Sequence, residues 1–160
     1  MAVDRERQDH RDRLHRLEKV RQECRQLVRK RALVSAGAAA VPVPMLDMVV
    51  DAGILLQLIP EISQRFGLEP ERIEQMDPAR REKVWKQIRS RGSQLIGIVI
   101  TRAIVRKSFM DFAGRLVARQ VAKFVPLGGQ LVAAGLGYFV MRKMAYQHID
   151  DCFAVAEAAG

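Results

Sequence analysis

The sequence predicts an all-α protein: a helical bundle with two proline-punctuated apolar helical hairpins and a charged N-terminal helix. Three observations predict it. Apolar residues recur at three- and four-residue steps along most of the chain, and no segment alternates with the period of two that a half-buried strand requires. Val-Pro pairs at Val41-Pro42, Val43-Pro44 and Val125-Pro126 each stand beside a nearly charge-free stretch. Finally, 49% of the 160 residues are hydrophobic but only 6% aromatic, a composition of Ala, Val, Leu and Ile that suits packed helices and allows a real core.

Residues 4–31 read as one charged helix. Leu17, Val20, Cys24 and Leu27 fall at alternating steps of three and four, with Leu14 and Val28 beside them, and form a narrow seam that wants a partner helix. The seam fits a dimerisation or docking arm, and equally a helix folded back on its own domain. At Ala32 the character changes to small apolar residues, which divides the chain into an arm, 1–31, and a bundle domain, 32–160. Pro42 and Pro44 then stop any helix, since each lacks an N–H and restricts the residue before it. Pro44 is placed to open the next helix, roughly 44–66, which is apolar on most faces and therefore central to a bundle, and Gly67 ends it.

Leu68–Met76 reads as a short helical turn, and Asp77-Pro78 is an N-cap followed by proline at the first helical position. The helix it starts carries a buried stripe of Val84, Ile88, Leu95 and Val99, widened by Trp85 and Ile96, with Gly92 and Gly97 as weak points. Phe109, Phe112, Leu116, Val117, Val121 and Phe124 mark a further amphipathic stretch. Pro126 then opens a helix of small residues, including Gly128 and Gly129, that runs through Tyr138, Met144 and Ile149 towards Phe153. Pro42 and Pro126 form a weak internal echo, each preceding a nearly charge-free helix. The longest stretch without Asp, Glu, Lys or Arg, Phe124–Met141, has eighteen residues with a proline and four glycines, short of the about 20 apolar residues of an uninterrupted span.

The chain carries 27 basic and 18 acidic residues, a formal charge of +9 that attracts nucleic acid, anionic lipid or an acidic partner. Residues 78–107 hold nine basic side chains and one acid, Glu82. The candidate basic surface is Arg80, Arg81, Lys83, Lys86, Arg89 and Arg91, with Arg115, Arg119 and Lys123 at four-residue spacing further on. A solvated helix face has the same pattern. No aromatic interleaving supports base stacking, and no zinc or helix-turn-helix module is visible.

Nothing in the sequence points to catalysis. There is no G-x-x-x-x-G-K-S/T loop to cradle phosphate. Two cysteines, Cys24 and Cys152, make no disulfide framework. His148 and Cys152 are four apart and share a helix face, but two ligands do not close a metal site, and an ordinary C-terminal helix surface is the simpler reading. Asp47 and Asp51 lie one turn apart on an otherwise apolar helix. Asp47 suits the first turn, where the helix dipole favours an anion; Asp51 lies deeper and needs a basic or backbone partner. Neither a cofactor nor a metal is expected. With no apolar leader at the N-terminus, a cytoplasmic location is expected, peripheral to the inner membrane where lipid is met.

Two stretches carry a resemblance. Ala39-Ala40-Val41-Pro42-Val43-Pro44, continuing to Val50-Asp51-Ala52-Gly53-Ile54-Leu55-Leu56 and Phe66-Gly67-Leu68-Glu69-Pro70-Glu71, resembles the helical domain of interferon-inducible immunity-related GTPases. Phe124-Val125-Pro126-Leu127-Gly128-Gly129, leading to Tyr138 and Ile149-Asp150-Asp151, is similar to that family's later helical segment. The same pattern resembles a bacterial family of uncharacterised helical domains found downstream of Era-like GTPase domains and in inner-membrane-associated proteins, to which Pro44-Met45-Leu46-Asp47 is the closer match. The resemblance covers about residues 32–157. It implies a stalk or membrane-facing module beside a nucleotide switch, and a structural role for Asp51. The switch has no counterpart in this chain, so membrane attachment is the property that transfers, with a separately encoded GTPase as a partner. The expected function is thus a non-enzymatic helical module at an anionic membrane surface or on a membrane protein. A soluble homodimeric adaptor using the 4–31 seam is the alternative, and nucleic-acid binding through residues 78–107 the third.

Overall fold

The computed structural model describes the backbone of residues 2–38, 46–120 and 129–160. It contains six helices in chain order: α1 (Ala2–Ala38), α2 (Leu46–Arg65), α3 (Pro70–Glu74), α4 (Pro78–Arg91), α5 (Arg102–Gln120) and α6 (Gly129–Ala158). No strand occurs among the described residues, so the chain is all-α as its periodicity predicts. Pro42, Pro44, Lys123, Pro126 and Gly128 lie outside the described residues.

The charged helix does not stop at residue 31. It continues to Ala38, because the segment that follows is rich in alanine and has no proline. α2 passes through Pro60, which is exposed and leaves the Leu56 carbonyl without its usual N–H donor. Its end is the predicted one. Gly67 adopts φ 69°, its N–H donates to Gln64 O at 2.9 Å, and the Leu68 N–H donates to Ser63 O at 2.8 Å. Leu68 folds back into the core, so the turn is closed by backbone bonds and by burial together.

α4 begins as the sequence predicts: Asp77 Oδ1 accepts from the Arg80 N–H at 3.0 Å, with Pro78 at the first helical position. It does not run on to 107. Gly92 takes φ 65°, its N–H donates to Arg89 O and the Ser93 N–H to Ile88 O, which terminates the helix at the first of its two weak points. The buried stripe breaks with it. Val84 and Ile88 are buried, and so is Ile96 from the following loop, but Leu95 is half-buried and Val99 is 69% exposed.

The chain divides into two compact units. The first comprises Met1–Gln26, Glu61–Val99 and His148–Gly160. Its core contains Cys24, Ile62, Phe66, Ile73, Val84, Ile149 and Val155. The second comprises Leu27–Pro60 and Ile100–Gln147, with Val28, Leu55, Leu58, Ile59, Val105, Phe109 and Met141 inside. Each fully buried Leu or Ile contributes about 1.5–3 kcal/mol of transfer free energy, so these clusters, rather than helix propensity, hold the helices in place. In the first unit α1 also finishes α6: Arg13 Nη2 donates to Ala156 O at 2.5 Å and Glu157 O at 2.8 Å. α6 has no basic residue in its own last turn, and a guanidinium at its negative end takes that place.

Candidate functional site

The first unit contains a buried polar group that sequence spacing only half reveals. Ser63 of α2 and His148 of α6 are 4% and 2% exposed, with Ser63 Oγ 3.0 Å from His148 Nε2. Cys152, one turn beyond His148, places Sγ 3.5 Å from the same nitrogen. His148 and Cys152 are therefore not an ordinary helix surface but the inward face of α6. Burial pushes the Cys152 thiol far above its ordinary range and raises Cys24 to about 11. These thiols hold their protons, and the group ties α2 to α6 within the unit. The signal for Ser63 was present in the sequence: a lone hydroxyl next to Ile62 on the apolar face of α2, one turn from Ile59.

Around this group lies a set of ion pairs. Asp150 Oδ1 accepts from Arg21 Nη2 at 2.8 Å and from Arg25 Nη2 at 3.0 Å, while Arg21 also lies over the Phe153 ring at 5.0 Å. Asp151 is 4.0 Å from Arg91, and burial raises its carboxyl above the ordinary value against the pull of that guanidinium. The Asp150 and Arg21 side chains keep 46% and 27% of their surface in solvent, so the pair contributes less than about 1 kcal/mol.

The predicted seam is in use within the chain at Cys24, which is fully buried, while Leu17, Val20 and Leu27 are half-buried. Asp47 falls in the first turn of α2 and Asp51 one turn later; Gly129 opens α6. Of the basic surface, Arg80, Lys83, Lys86 and Arg89 are exposed on one side of α4. Arg81 instead donates to Glu74 O at 3.2 Å, and Arg91 faces Asp151. Arg115 and Arg119 lie on α5, where Arg115 is exposed.

The net charge is unevenly shared. The second unit holds eleven Lys and Arg against three Asp and Glu, the first sixteen against fifteen. Its exposed cations include Arg29, Lys30, Arg102, Arg106, Lys107, Arg115, Arg142 and Lys143. The boundary between the units, after Val99, divides the basic run 78–107, leaving α4 in a nearly neutral unit and Arg102, Arg106 and Lys107 in the cationic one.

Among the described residues no group of three or more His, Cys, Asp or Glu could hold a metal ion, and no helix is long and apolar enough to cross a membrane. No curated protein and no solved structure matches the chain. One family model does match, an uncharacterised domain, and it fits the bacterial helical family that the proline-flanked segments resemble. The match takes in most of α1, which the resemblance left out, and ends after α5, before Val125-Pro126. On that match, over residues 8–121 and so well over half its length, the chain belongs to the family described as Domain of unknown function (DUF697).

Proposed function

We propose that this protein is a non-enzymatic helical module that binds the surface of an anionic membrane through its second unit. The observation that carries the reading is the coincidence of charge and oil: the unit with eleven basic and three acidic residues also exposes large apolar side chains beside its cations. Three large apolar side chains exposed among its described residues support it. Leu33 is 71% exposed and follows Arg29 and Lys30 by four and three residues; Met110 (51%) follows Arg106 and Lys107 in the same way; Phe139 (42%) precedes Arg142 and Lys143. On a helix such neighbours share a face. Apolar side chains flanked by cations meet both the acyl boundary and the headgroup phosphates of a bilayer. Each surface cation adds about 1 kcal/mol of attraction to an anionic leaflet. The likeness to helical domains that accompany GTPases adds a separately encoded GTPase as the expected partner.

Co-sedimentation with vesicles tests the reading. Vesicles of phosphatidylcholine containing phosphatidylglycerol should carry the protein down, and raising the salt should release it as the Debye length shortens. Failure to bind such vesicles at low salt would end the proposal, and binding equally strong to pure phosphatidylcholine would remove its electrostatic part.

A further inference from the structure

Two cations in the second unit are gathered at one neutral side chain, Tyr146. Arg29 Nε of α1 donates to the Tyr146 hydroxyl of α6 at 3.4 Å. Arg142, one turn before Tyr146, has its Cζ 5.3 Å from the centroid of the same residue's ring. Both arginine side chains are exposed, and among the described residues neither forms an ion pair. Like charges brought together at an uncharged acceptor repel each other, and an oxyanion between them reverses the sign of that energy.

The site already favours negative charge on oxygen. Partial burial raises the Tyr146 phenol, yet the hydrogen bonds and charges of Arg29 and Arg142 bring it below its ordinary value. Planar guanidinium forks match the oxygens of a phosphate, which accepts paired N–H bonds from each. Next to them Lys143 stands 5.7 Å from the ring of exposed Phe139, an apolar contact beside the cations.

We infer that Arg29, Arg142 and Tyr146 form a binding site for the phosphate group of an anionic lipid headgroup. The inference rests on the membrane reading above and adds a defined contact to it. The alternative within that reading is diffuse attraction, in which every exposed cation of the unit counts alike.

The test compares charge-matched variants of the full chain on vesicles of phosphatidylcholine containing phosphatidic acid, each first checked for helical circular dichroism. Arg29→Gln/Arg142→Gln should bind at least about tenfold more weakly than Arg106→Gln/Lys107→Gln, because it loses charge-assisted hydrogen bonds in addition to charge. Tyr146→Phe, which removes no charge and keeps both arginines, should lose about threefold, and it decides the matter if the double arginine variant does not fold. Equal losses in the two double variants, with Tyr146→Phe unchanged, overturn the site and leave the membrane reading standing. A wild-type protein that ignores these vesicles overturns both. Inorganic phosphate forms a separate arm: a rise in melting temperature that depends on Arg29 and Arg142, without vesicle binding, reassigns the site to a soluble phosphate and overturns the lipid source.

Discussion

Gly92 and Gly97 both hold left-handed backbone, with φ 65° and 74°, but their surroundings differ. A Cβ on Gly92 would meet nothing within 4 Å, whereas one on Gly97 would lie 2.8 Å from the Trp85 ring and 3.2 Å from Ile73. Gly92→Ala should therefore cost only the backbone term, about 1–2 kcal/mol. Gly97→Ala adds an overlap with a ring and should cost about 3 kcal/mol or more. Urea unfolding separates the two, and Trp85 emission should shift in the native state of Gly97→Ala alone. Equal midpoints would show that the Trp85 contact carries no weight.

The buried thiols belong to the same scale. Burial raises Cys24 from an ordinary value of 9.0 to about 11, so the folded chain keeps a proton that the unfolded chain releases in that interval. Stability from this source is whole below pH 9.0 and is lost as pH climbs towards about 11. The loss approaches about 1.4 kcal/mol per pH unit for one group. Urea midpoints across that range should fall in wild type and fall less in Cys24→Ala. An unchanged slope in the variant would assign the loss to other groups.

At the scale of elements, the signals that worked are local ones. Asp77 sits three residues before the N–H it caps, and Gly67 closes a turn whose bonds join residues three and five positions apart along the chain. Replacing Asp77 by Ala should cost about 1 kcal/mol, read as a lower melting temperature; no change would mean that Pro78 starts α4 unaided. The signals that failed are those for extent. The 4–31 helix outran its charged composition, since a helix answers to breakers and not to polarity. At Gly92 the stripe of Val84 and Ile88 continued on paper to Leu95 and Val99, but two backbone bonds at the glycine ended the helix first. Ile96 is still buried, delivered by a loop instead of a helix face.

Charge has to be read at the scale of the whole molecule. Along the sequence, the basic run 78–107 is the prominent feature. In the fold it is divided, and the excess of eight lies with the second unit. Neutralising Arg80, Lys83, Lys86 and Arg89 together to Gln should leave vesicle binding largely intact. Neutralising Arg102, Arg106, Lys107 and Arg115 should weaken it by orders of magnitude, at about 1 kcal/mol per charge. The reverse result in the same sedimentation assay would return the interface to α4.

The amino-acid sequence by itself determined the all-α class, the start of α4 and the end of α2, because these depend on periodicity, caps and breakers acting within a few residues. Only the tertiary structure decided which polar side chains are buried and which cations are gathered. Ser63 meets His148 across 85 residues, and Arg29 meets Tyr146 across 117. Such contacts are fixed by how amphipathic faces pack, and a helix's own spacing carries no record of the side chains its neighbour brings.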